Sequence, residues 1–142
     1  MKYVILVSHG FFAQGLRSAI LMMTGKRDDI LSTSLEDGMG TNQFEDNFVK
    51  LIESITHDDE ILLFSDILSG SPFTKSIEVL NNRGLFDKTT VFAGMNMPMV
   101  LTAVLMKDNI EKVELIEATL SEGRLGVTLF ELNTVNFEEE DL

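Results

Sequence analysis

The sequence predicts an α/β fold: a doubly wound, mainly parallel sheet of four strands in the order 2-1-3-4, helices on both faces, and one extra C-terminal strand, antiparallel or donated to a partner subunit. Two observations predict it. Three apolar runs, Tyr3 to Val7, Ile61 to Phe64 and Thr89 to Ala93, are nearly continuous rather than alternating, as parallel strands covered on both faces require. Between them lie helical patterns, and strands alternating with helices are accommodated by right-handed crossovers over an open sheet.

The elements follow in order. After the first strand, Leu16, Ile20 and Met23 recur at helical spacing and stop at Gly25, a residue suited to a helix C-terminus. Ile30 to Leu35 alternates more than the other strands, which places it nearer an edge. Thr41 is a candidate N-cap for a helix carrying Phe44, Phe48, Leu51, Ile52 and Ile55 on one stripe. Beyond the third strand, Ser71-Pro72 opens a helix with a capping hydroxyl and a proline at the first helical position; Phe73, Ile77 and Leu80 line one face before Gly84. Pro98 starts a nearly all-apolar helix through Met106, expected to be buried on most sides, and Val113, Ile116 and Leu120 mark a last helix ending near Gly123. The run Val127 to Phe137 is rich in β-formers but has no following helix to cover it, hence the extra strand. Residues 1-137 are read as one domain and 138-142 as a solvated acidic tail.

Composition excludes whole classes of function. With 23 Asp plus Glu against 11 Lys plus Arg, the net charge is −12, which argues against binding nucleic acid or anionic lipid through bulk charge. The absence of cysteine removes disulfides, thiolate metal sites and cysteine nucleophiles, and fits a reducing, cytoplasmic setting. The apolar N-terminal run is too short for a signal peptide. Phe92 to Met106, broken by Asn96 and Pro98, falls short of the ~20 residues of a membrane span. No phosphate-loop motif occurs, Gly38-Met39-Gly40 lacks the rest of a dinucleotide fingerprint, and two histidines without paired spacing do not make a zinc site, so neither metal nor cofactor is expected.

In open α/β sheets, ligands bind beyond the carboxyl ends of the strands, where strand order reverses. Ser8-His9-Gly10, Ser65-Asp66 with the following Leu68-Ser69-Gly70-Ser71-Pro72, and Gly94-Met95-Asn96-Met97-Pro98 all fall at that edge. His9 is the sharpest signal: an imidazole serves as nucleophile or general base at neutral pH, and Gly10 allows close approach. The competing assignment is a structural histidine at a strand end. With the first and third strands adjacent, Asp66 reaches that imidazole, fixes its tautomer and stabilises the charge that develops when the other nitrogen attacks; the bland alternative is a loop-capping aspartate. Gly70 and Ser71 at a helix N-terminus offer unpaired N–H groups to a phosphoryl or carboxylate group, although Ser-Pro also caps helices that bind nothing. His57, in a polar stretch at the opposite edge, reads as a solvated loop residue. Met22, Met23, Met95, Met97 and Met99 are most simply core filling, with a pliable docking surface as the alternative.

Together these residues resemble the enzyme IIA components of the mannose, fructose and sorbose family of the bacterial sugar phosphotransferase system. The likeness rests on Ser8-His9-Gly10, on Asp66 to Pro72 with its Gly-Ser-Pro, and on Gly94-x-Asn96-x-Pro98, in order and with compatible spacing from Lys2 to about Gly126. The resemblance implies that His9 is transiently phosphorylated, taking the group from the histidine of HPr and passing it to a IIB component that serves a membrane IIC/IID complex. It implies that Asp66 orients His9, that Ser71 lies beside the phosphoryl group with Gly10 and Gly70 lining its site, and that the chain forms a homodimer, peripheral to the membrane through the transporter. Ile67, Leu68 and Ser69 depart from the family pattern, where an aromatic residue or glycine is frequent. No Ala/Pro linker or IIB sequence follows, so IIB is expected as a separate chain. Two further readings stand beside this one: the IIA-like subunit of a dihydroxyacetone kinase system, and a non-catalytic regulatory module that senses an anion at His9. The acidity suits a donor with a positively charged patch around its own histidine, an encounter that weakens with salt.

Overall fold

The computed structural model of the chain describes residues 1–132. Four parallel strands, β1 (Lys2–His9), β2 (Ile30–Leu35), β3 (Glu60–Ser65) and β4 (Thr89–Ala93), lie in the order β2-β1-β3-β4. The helices α1 (Phe12–Thr24), α2 (Thr41–Leu51), α3 (Ser71–Asn82), α4 (Met97–Met106) and α5 (Lys112–Leu125) make the connections, with a short 3-10 turn at Phe86–Lys88. The expected strand order is therefore the observed one, with β2 at an edge.

Alternation along each strand divides the core. Val4, Leu6, Leu62, Phe64 and Phe92 face α1, α4 and α5, where Phe64 and Phe92 stack at 4.8 Å between ring centroids. Ile5, Val7, Ile61 and Leu63 face α2 and α3 through Phe44, Phe48, Val79 and Leu80. Because side chains repeat every second residue, a slip of one residue in β1 would exchange the two faces, and burial on both sides fixes the register.

The helix ends correct several expectations. Gly70, not Ser71, is the N-cap of α3; Ser71 is its first residue, and no side chain caps it. Likewise Gly40 precedes α2 and Thr41 lies inside it. Helix α4 begins one residue before Pro98 because Asn96 caps it, its Oδ1 accepting from Met99 N–H at 3.1 Å, while its Nδ2 donates to the Gly123 carbonyl of α5 at 2.9 Å. Gly123 does not end α5. It is buried inside the helix, where an added Cβ would lie 3.0 Å from Met99 Cβ, and α5 continues to Leu125. Val113 and Met23, expected on apolar faces, are exposed. Helix α4 buries Met99, Val100, Ala103 and Val104 but leaves Leu105 exposed, so it is covered less completely than its composition suggests. Residues Val127 to Phe130, where a strand was expected, form exposed irregular chain after α5; the rest of that run beyond Leu132, and the acidic tail, lie outside the described residues.

An ion cluster ties the N-terminal end of β2 to the end of α4. Lys107, 1% exposed, places Nζ 2.7 Å from Asp29 and 3.0 Å from Asp108, and Arg27 makes two 3.0 Å bonds to Asp29. Hydrogen bonding from Arg27, opposed by burial and assisted by Lys107, lowers the Asp29 carboxyl to about 2. Among the described residues no helix is long and apolar enough to cross a membrane.

Candidate active site

Strand order reverses between β1 and β3, and both strands end there: Val7 and Ser65 are register partners, so His9 and Asp66 leave the sheet side by side. His9 is the last residue of β1, paired with Leu35 of β2. One Asp66 oxygen, Oδ2, accepts two bonds from His9, from the main-chain N–H at 3.0 Å and from the ring at Nδ1 at 2.8 Å. The other, Oδ1, accepts from Ile67 N–H at 3.0 Å, while the Ser65 hydroxyl, 3.3 Å from it, has the Ile67 carbonyl as its nearer acceptor at 2.9 Å. Burial pushes the Asp66 carboxyl up, but the bonds from the His9 main chain, the His9 ring and Ile67 N–H outweigh it and hold it below the ordinary aspartate range.

That direction fixes the imidazole. An ionised carboxylate can only accept, so the Nδ1 facing it carries a proton, and in the neutral ring it is Nε2 that keeps the lone pair. The ring side chain is 46% exposed while Asp66 is 13% exposed: a nucleophile open to a partner, backed by a largely covered anion.

Gly70 passes close beside the free nitrogen. A Cβ built there would stand 3.0 Å from His9 Cε1 and 3.3 Å from Nε2, and Gly70 has φ +94° and ψ 169°, a conformation essentially reserved for glycine. The chain can therefore pass beside the ring only without a side chain. Its carbonyl accepts from Thr74 N–H at 3.0 Å, and Pro72 has no N–H, which leaves the first turn of α3 directing the Ser71 and Phe73 amides toward this edge. Gly10, at φ +61°, gives its N–H to the Leu35 carbonyl at 2.9 Å, so its contribution is the tight turn after His9 rather than a free donor.

Thus the structure brings His9, Asp66, Gly10 and Gly70 together, with Ser71 next in the chain. His57 is apart: it is exposed near Asp87, 3.1 Å away, as its polar setting suggested. Of the methionines, Met95 and Met99 are core residues, whereas Met22 and Met23 are exposed, and Met23 lines with Met97, Pro98 and Leu101 a groove of about 530 Å³. Phe11, Phe12, Ile67 and Leu68, which directly follow the turn after His9 and Asp66, are also exposed. Ser8 and Ser65, each the residue before one of the paired side chains, stand in the strand-end motifs but were given no role by the sequence, and both are buried. The signal was present as Ser-His and Ser-Asp at equivalent strand ends. Among the described residues no cluster of His, Cys, Asp and Glu could hold a metal ion.

The arrangement supplies a neutral nitrogen nucleophile, a carboxylate that stabilises positive charge on its ring, and an anion-compatible helix start beside it. Comparison with known proteins points the same way. The family profile described as PTS system fructose IIA component matches residues 3–120. The PTS system fructose-specific EIIA component of Bacillus subtilis (strain 168) is 22% identical over 116 residues, covering 82% of this chain and 77% of that protein. Among solved structures, the phosphotransferase system component EIIA from Streptococcus agalactiae superposes with a TM-score of 0.77 at 24% identity, over 95% of this chain and all of that one. The mannose/sorbose-specific IIA subunit from Enterococcus faecalis gives 0.71 at 26% identity, over 93% and 97% of the two chains.

Proposed function

The chain belongs to the family of PTS fructose IIA components, phosphotransfer proteins of sugar uptake, and from that premise we propose that His9 Nε2 accepts a phosphoryl group from the phosphohistidine of HPr and passes it to a IIB component. The observation that carries the proposal is the 2.8 Å bond from His9 Nδ1 to Asp66, which leaves Nε2 as the free nucleophile beside side-chain-less Gly70.

In the transfer, the Nε2 lone pair forms a bond to phosphorus as the donor's N–P bond breaks, and that bond's electron pair returns to the donor's ring. No proton has to leave His9, because Nε2 carries none. The positive charge that develops on the ring is shared with Nδ1–H and met by Asp66. The phosphoryl oxygens lie toward Gly70 and the amides of the α3 start, with Ser71 beside them and Gly10 shaping the turn. Transfer to IIB is the same step reversed, with the acceptor in the donor's place. Both steps require positioning and charge stabilisation only, so one open site serves both partners. The protein thus acts as a phosphotransferase on the cytoplasmic side, meeting the IIC/IID complex through IIB. It acts as a homodimer: β4 pairs only with β3 among the described residues, which leaves its other edge open to a second copy.

The test is incubation with phosphoenolpyruvate, enzyme I and HPr, followed by assay for an acid-labile phosphoryl adduct. Labelling of the wild type and its loss in His9→Ala are expected. A wild type that stays unlabelled, or a His9→Ala variant labelled equally, refutes the assignment.

A further inference from the structure

We propose that Ser8 is a positioning residue for phosphoryl transfer at His9, its buried hydroxyl holding the turn that follows the histidine; this rests on the reading of His9 as phosphoryl acceptor. Ser8 is fully buried, a polar side chain in a strand whose other central residues are apolar. Its Oγ accepts from Ala13 N–H, in the first turn of α1, at 2.7 Å. The residue in the N-cap position of α1 is Phe11, which has no side-chain bond to the helix. The cap comes instead from the strand, three residues upstream of the position where capping residues ordinarily stand.

The hydroxyl also has a defined direction. Ser8 and Ser34 are register partners on β1 and β2, with their Oγ atoms 3.2 Å apart, and Ser34 donates its proton to Gln14 Oε1 on α1. Ser34 has no second proton, so Ser8 donates to Ser34 and keeps its lone pairs for Ala13. The relay runs one way, from Ser8 to Ser34 to Gln14, and closes a ring of contacts among β1, β2 and α1.

The consequence falls on His9. Its main chain is held by its own N–H on Asp66, by Gly10 N–H on the Leu35 carbonyl, and by the Ser8 bond that closes the turn onto Ala13. The first two hold one side of the turn, and Ser8 holds the other. Without the hydroxyl, Ala13 N–H loses its acceptor in a fully buried position, and the start of α1 must shift to rehydrate it. That shift reaches the ring that must face Asp66 and Gly70 because only Gly10 and Phe11 lie between His9 and the start of α1.

The experiment compares wild type, Ser8→Ala, Ser8→Thr and Ser34→Ala by two readouts. One is the phosphorylation rate of His9 with phosphoramidate, a small donor that needs no docking, and with the phosphoenolpyruvate, enzyme I and HPr relay. The other is the tautomer of the unphosphorylated His9 ring, read from its 15N chemical shifts. Ser8→Ala should lose roughly tenfold in rate with both donors and shift population from the Nδ1–H to the Nε2–H tautomer. Ser8→Thr, which keeps the hydroxyl, should return both toward wild type, and Ser34→Ala, which spares the Ala13 bond, should change rate by less than Ser8→Ala. A Ser8→Ala protein with wild-type rate and tautomer overturns the proposal, as does a slowed one whose tautomer is unchanged. If the wild type itself is not phosphorylated, the reading of His9 falls, while the tautomer comparison still decides whether Ser8 positions the ring.

Discussion

Replacing Gly70 by alanine tests the site at its tightest point. The added methyl carbon would stand 3.3 Å from Nε2 and 3.0 Å from Cε1 of His9, inside the ~3.5–4.0 Å at which such atoms attract rather than repel. Relief requires either the imidazole to swing away from Gly70, stretching its 2.8 Å bond to Asp66, or the loop to retreat and take the α3 amides with it. Either movement is a few tenths of an ångström at the ring and more where the phosphorus must arrive. A misplacement approaching 1 Å costs roughly 100-fold in rate. The backbone adds a separate cost of about 1–3 kcal/mol in stability, since alanine is strained at φ +94°. Gly25→Ala separates the two effects: Gly25 has nearly the same conformation, φ 81° and ψ 176°, but nothing lies within 4 Å of its built Cβ. Both variants should show a comparable fall in urea midpoint, and only Gly70→Ala should lose phosphorylation by roughly two orders of magnitude in single-turnover labelling. If folded Gly70→Ala is labelled within threefold of wild type, the close approach of Gly70 to the ring does not govern transfer.

Further outcomes follow from other contacts. Asp66→Asn should retain the fold and slow labelling at least ~10-fold, because it keeps the shape but removes the charge that meets the developing imidazolium; an unchanged rate counts against the orienting role. Asp29, lowered from 3.8 to about 2 in the folded protein, contributes stability that is complete above the unfolded value and is lost as pH falls through the folded one. The loss is ~2 kcal/mol between pH 5 and pH 1, and in Asp29→Asn that part of the acid dependence of urea unfolding should vanish. Asn96→Ala removes the α4 cap and the tie to the Gly123 carbonyl together. It should destabilise the protein by about 1–3 kcal/mol in chemical denaturation, and a change below 0.5 kcal/mol would mean that water replaces both bonds.

Much of this arrangement was legible in the sequence because parallel strands announce themselves. Ile30 to Leu35 and Thr89 to Ala93 have the observed limits, whereas β1 and β3 extend over Lys2, Ser8, His9, Glu60 and Ser65, polar residues that join the hydrogen-bond ladder and of which only Ser8 and Ser65 are buried. His9 and Asp66 were placed together by a rule about strand ends, and the bond between them follows from it. The caps were harder to read. Gly40 and Gly70 take positions that composition assigns to Thr41 and Ser71; at Gly70, φ +94° is a path that a residue with a side chain does not readily follow, whereas Gly40 is ordinary extended chain. Ser8 escaped because its partners lie on β2 and α1, and its role depends on the register between strands, which a single run of residues does not specify. Val113 was misassigned because α5 turns Leu115, Thr119 and Gly123 inward, a face chosen by close packing against Met99 rather than by the largest apolar side chains.

The nearly half-exposed ring of His9 has a bearing on the lifetime of whatever it carries. Enzymes that generate reactive intermediates usually enclose them so that water cannot compete. Here the ring that would hold the phosphoryl group is backed by Asp66 and flanked by Gly70 but left nearly half open to solvent. Such a site trades shelter for speed of hand-over: hydrolysis competes with delivery during every interval between partners, and the fraction of phosphoryl groups delivered rises with the concentration of the acceptor. The protein would then work best where that acceptor is always near.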